Sequence, residues 1–220
     1  MTTVDSTRQS RAAWPPLDKL GLLIALIAVA GAVFPFAVFR ANRIVLGEGL
    51  LASSALPLPL AILLGLVALI GVGTMLLRVN PLIKLGIGLL ALATLFVLIG
   101  QAATFLTPPD NTFARVSPGA GFWLLTFAFA LMVTDALTRL KFGPWQRIGI
   151  LAVVGVAMAA LLWSGAWNDL SILKEFANRA PAFWAEARTH LLLAFGSVAI
   201  AILAGVPLGI LLYRVKPLRA

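Results

Sequence analysis

His190 is the single histidine in a chain of 220 residues that has no cysteine, and these two counts limit the chemistry at once. A zinc site or a Ser-His relay needs partners for that imidazole, and the sequence offers no second His, no Cys and no G-x-S-x-G elbow. His190 is therefore expected to be a half-wet residue at the edge of an apolar run. No enzymatic activity, no metal and no cofactor are expected of the chain itself. Asp135 is the acid set furthest into an apolar run, where a charge would suggest a proton or ion path. It falls near the end of that run with Arg139 four residues on, so a local helical ion pair at the interface is expected. No apolar run carries a charge at its centre, which argues against a proton-coupled carrier. A third group, Ser197, Gly205 and Gly209 with Pro207 between the glycines, is small rather than reactive. The G-x-x-x-G spacing suits close helix packing, and Pro207 loosens the helix near one end.

The elements that must hold these residues are set by composition. The chain is 61% hydrophobic and 11% charged, whereas soluble domains are about 25% charged. Its apolar residues fall into runs of about 20, the length that crosses about 30 Å of hydrocarbon as helix. Six spans are expected, near 18–39, 58–77, 82–101, 122–138, 148–166 and 190–213, in an all-α integral membrane protein. Helix is required because hydrocarbon offers no partner to an unpaired backbone group. The stretches SSALPLP, NPL, LTPPDNTFARVSPGAG and KFGPW read as connecting loops. The first run is longer than the core of a signal peptide and no A-x-A site follows, so a retained helix is expected.

The net charge of +9 does not point to nucleic acid, because Lys and Arg sit at the ends of apolar runs instead of on one polar face. Arg8, Arg11, Lys19, Arg78, Lys84, Arg139, Lys141, Arg147, Arg214, Lys216 and Arg219 fall on one side of the membrane, and Arg40, Arg43, Arg115, Lys174, Arg179 and Arg188 on the other. The positive-inside rule then places both termini in the cytoplasm. Trp14, Trp123, Trp145, Trp163, Trp167 and Trp184 all fall at or near span ends, as interfacial indoles do.

Residues 167–189, between the last two spans, are the most polar long connector. Leu173, Phe176, Ala180, Phe183 or Trp184, and Ala187 recur at helical spacing opposite Lys174, Glu175, Arg179, Glu186 and Arg188. An external amphipathic helix pair is expected, with Asn168 or Asp169 as N-cap and Pro181 restarting the helix.

The stretch HLLLAFGSVAIAILAGVPLGILLYR, from His190, resembles the first core helix of the permease subunits of ABC importers for osmoprotectants such as glycine betaine, choline and carnitine. The blocks ANRIVLGEG, ARVSPGAGFW, TDALTR and SGAWNDLSILKEFANR are similar to the extended N-terminal membrane region of the Yeh-type branch. The resemblance implies a cytoplasmic arm (1–17), a five-span membrane region (18–166), an external connector (167–189) and the first span of the permease core (190–220). It implies residence in the bacterial inner membrane beside a second permease copy and an external solute-binding protein, with ATP bound by separate cytoplasmic subunits. Permeases of this kind carry further spans and a cytoplasmic E-A-A loop that docks on the ATPase. Glu186-Ala187-Arg188 does not match that loop, so the chain is expected to be the N-terminal half of such a permease, not competent for transport alone. The alternative is a complete, non-transporting accessory or assembly subunit of a membrane complex.

Overall fold

The computed structural model describes residues 18–108, 111 and 113–214. The expected arm at 1–17, with Arg8, Arg11 and Trp14, and the tail residues Lys216 and Arg219 lie outside the described residues. The chain divides into two compact units, one ending at Leu173 and the other starting at Lys174.

In the first unit, helix α1 (Lys19–Val33) leads to strand β1 (Ala37–Arg40), strand β2 (Glu48–Leu50) and one turn of helix, α2 (Ala52–Ala55). Helices α3 (Leu58–Leu76) and α4 (Pro81–Leu106) follow, then strand β3 (Arg115–Pro118) and helices α5 (Ala120–Leu140) and α6 (Pro144–Trp163). Among the described residues, five helices are long and apolar enough to cross a membrane, and α1 is a shorter apolar helix of 15 residues. The expected all-α membrane architecture is therefore present, with a small sheet added.

Local chemistry explains most of the boundaries. Asp18 caps α1 by accepting from the Gly21 N–H at 3.4 Å. Asn80 caps α4 by accepting from the Leu82 N–H at 2.9 Å, and Pro81 then sits at the first helical position, where its missing N–H costs nothing. Pro144 starts α6 in the same way, while the Gln146 side chain accepts from the Gly143 N–H at 2.7 Å. Lys141 ends α5 in the left-handed region at φ 50°.

The first span is shorter than its apolar run. The run continues to Phe39, but Pro35 disfavours helix in the residue before it, and α1 ends at Val33. Phe36 and Ala37, which the run length assigned to the span, are instead buried at the start of the sheet. β1 is the central strand, pairing antiparallel with β2 (Ala37 opposite Leu50) and with β3 (Ala37 opposite Pro118). All three strands fall in stretches expected to be span end or loop.

The core lies where α1, α3, α4 and α5 meet, around Ala28, Leu95, Ile99, Phe122, Phe129 and Met132. Small residues let the backbones close up: a Cβ at Gly21 would run into the Met75 carbonyl of α3, and one at Gly121 would run into the Phe34 and Gly31 carbonyls after and within α1. No described residue of α6 is buried.

Helix α7 (Ser171–Arg214) is one element of 44 residues. Pro181 lies inside it instead of restarting it. A proline costs a helix interior about 3 kcal/mol through one lost hydrogen bond and a ring clash. Here Phe176 and Phe183 meet edge to face at 5.3 Å across the proline, and long helical arms on both sides hold the geometry. Helix α7 begins at Ser171, so neither Asn168 nor Asp169 immediately precedes its first residue.

Candidate functional site: polar clusters at the two ends of the first unit

Asp18 stands just before α1, Lys84 in the second turn of α4, and Asp135 and Arg139 one turn apart near the end of α5. The antiparallel helices bring all four to one end of the unit. Lys84 Nζ donates to Asp18 Oδ2 at 3.0 Å and to Asp135 Oδ2 at 3.2 Å. Arg139 donates through Nε to Asp135 Oδ1 at 2.8 Å and through Nη2 to Asp18 Oδ2 at 2.7 Å. Two cations and two carboxylates thus close a ring. The Lys84 side chain is 3% exposed and both carboxylates are 8% exposed, while Arg139 is 41% exposed. The Asp18 N–H also donates to the Leu76 carbonyl at 3.2 Å, which ties the end of α3 to the same cluster.

The expected Asp135–Arg139 pair is present, but it is half of a larger and more buried arrangement. Lys84, expected among the cations on one side of the membrane, lies inside α4 and is the most buried of the four. A signal was available in the sequence. Lys84 follows a Pro-marked helix start and Asp135 lies near a helix end, and in both places the helix dipole disfavours that charge. A cation at the positive end and an acid at the negative end of neighbouring helices satisfy each other. Chemically the ring is charge-balanced, with each carboxylate held by both cations, so it is suited to fastening helices. No cluster of three or more His, Asp or Glu that could hold a metal ion occurs among the described residues.

The opposite end of the unit carries the sheet and the approach to α7. The Trp167 Nε1–H donates to the Phe96 carbonyl of α4 at 2.8 Å, so this indole is committed to the protein and not only to an interface. Thr104 Oγ1 donates to Asp169 Oδ2 at 3.2 Å, and Ser117 and Ser171 join hydroxyl to hydroxyl at 3.1 Å. Leu170, 5% exposed, forms a parallel bridge with Val116 of β3. Gly100 permits this seating, since a Cβ there would run into the Ala166 carbonyl. Four attachments within five residues fix the start of α7 to the first unit.

The expected packing residues Ser197, Gly205, Pro207 and Gly209 lie along α7 in the second unit. Ser197 Oγ donates to the Ala194 carbonyl at 3.0 Å, and nothing lies within 4 Å of where a Cβ would sit on Gly205 or Gly209. His190 is exposed on the same helix.

The first unit is thus a bundle of apolar helices closed at one end by a balanced ion ring. The family described as ABC transporter permease YehY, N-terminal domain, matches residues 18–173, and the chain belongs to it. It is a multi-pass protein of the bacterial inner membrane whose family works with ABC partners. No curated protein and no solved structure matches the chain.

Proposed function

We propose that this chain forms the N-terminal membrane region and first core span of the permease in an ATP-driven importer of osmoprotectants, small betaine-like or choline-like solutes. The match over residues 18–173 carries the permease part of this reading, and the likeness of 190–214 to an osmoprotectant permease helix supports the solute. ATP is bound by separate cytoplasmic subunits, and the solute arrives from an external binding protein, where an aromatic cage can hold the quaternary ammonium. A second permease copy completes the pathway. Gly205 and Gly209, open on α7, together with Ser197 and Pro207, seat that helix against its neighbours in the assembled permease.

Uptake into proteoliposomes tests this. The transporter containing this chain, reconstituted with its ATP-binding subunits, should accumulate labelled glycine betaine, choline or carnitine only when ATP is supplied on the ATPase side. ATP-dependent uptake of a different solute class would overturn the osmoprotectant reading and leave the permease assignment in place.

A further inference from the structure

Helix α6 is apolar from Ile148 to Trp163, yet none of it is buried. Between α6 and α4 runs a cleft of about 800 Å³, walled by Leu89 and Phe96 on one side and Val153, Ala157 and Leu161 on the other, with Phe142 and Gln146 at one end. Val153 lines the cleft and is still 68% exposed, so the cleft opens to whatever surrounds the protein. From Gln146 to Leu161 the α6 wall is about 22 Å long, more than the roughly 15 Å that one leaflet contributes to the hydrocarbon core. Walls this apolar offer water no partners, and an empty gap would forfeit dispersion contacts along both helices.

The charge at the Gln146 end selects among apolar occupants. Lys141 and Arg147 flank Phe142 and Gln146 in sequence, and both are exposed. The described carboxylates at this end, Asp18 and Asp135, are both buried in the ion ring. Trp145, 83% exposed, lies between the two cations in sequence, as suits an indole at headgroup level.

We propose that the α4–α6 cleft binds one acyl chain of an anionic phospholipid, whose phosphate is held by Lys141 and Arg147. A zwitterionic head would set its own ammonium against these cations, whereas an anionic head leaves both available to phosphate. Basic pockets between membrane helices recognise anionic heads on this principle.

The test is native mass spectrometry of the whole chain released from detergent after incubation with equal amounts of phosphatidylglycerol and phosphatidylcholine. One phosphatidylglycerol should be retained severalfold more often than phosphatidylcholine. The pair Lys141→Asn and Arg147→Gln should bring the two lipids to equal retention, Asn being chosen because it tolerates the left-handed backbone at 141. Ala157→Trp, at an exposed position, fills the cleft without displacing packed core and should remove retention of both. Equal retention of the two lipids by the unaltered chain would overturn the proposal, as would unchanged phosphatidylglycerol binding after Ala157→Trp. A dimer that Ala157→Trp dissolves would assign the cleft to a second copy and overturn it too.

Discussion

Removing Lys84 leaves Asp18 and Asp135 buried with Arg139 as their remaining cation in the ring, and that cation is partly in solvent. Breaking one partner out of a buried ionic cluster typically costs about 3–5 kcal/mol. Lys84→Met should therefore lower the thermal unfolding midpoint in detergent sharply, while Arg139→Gln, at a more exposed position, should lower it less. Adding Asp135→Asn to Lys84→Met should restore part of the loss, because the two changes share a network and are not additive. At the other end of the unit, Gly100→Ala places a methyl group against the Ala166 carbonyl. The expected outcome is faster hydrogen exchange at Leu170 and Ser171, with exchange in the α1–α5 contact unchanged. Unaltered protection at both residues would show that the seating tolerates the methyl group.

At the scale of elements, what was legible in the sequence depended on whether one segment carried its own signal. Helices α3 to α6 announce themselves by long apolar runs with Pro or Gly at their starts, and their observed limits lie within a few residues of the expected ones. The sheet does not, because β1 continues the apolar run of α1 and β3 lies in a Pro-rich and Gly-rich loop. Its β1–β3 pairing, from Ala37 opposite Pro118 to Arg40 opposite Arg115, joins residues far apart in the chain, so no local window could show it. The ion ring was half legible: Arg139 and Asp135 are helical neighbours, but Asp18 and Lys84 reach them only through tertiary packing. Three of the blocks that carry the family likeness hold these contacts. ARVSPGAGFW forms β3 and the start of α5, TDALTR holds Asp135 and Arg139, and SGAWNDLSILKEFANR holds the seating of α7. Helix α7 shows the opposite failure, where a strong local rule about proline yielded to long helical arms. Nitroxides placed singly at 176 to 190 should show accessibility with an unbroken 3.6-residue period through Pro181. A phase jump at that residue would restore the two-helix reading.

For the whole molecule, orientation follows from the ends at which these features lie. The positive-inside count predicts the ion ring on the cytoplasmic side, which would make the β1–β2 turn external; Ile44 at its tip is 94% exposed. The chain has no cysteine of its own, so single substitutions can be labelled cleanly. Ile44→Cys should react with a membrane-impermeant maleimide in intact cells, and Arg147→Cys only after the membrane is opened. The reverse pattern would invert the topology and move the proposed lipid headgroup to the outer leaflet.

The shortness of α1 has a consequence for the bilayer itself. At 15 residues it rises about 22 Å, against about 39 Å for the 26-residue α4. A bilayer whose hydrocarbon is about 30 Å thick must thin beside the short wall or bend toward it. Leu22, Leu23 and Leu26 are exposed along this short wall. Lengthening the surrounding acyl chains should therefore load this flank first.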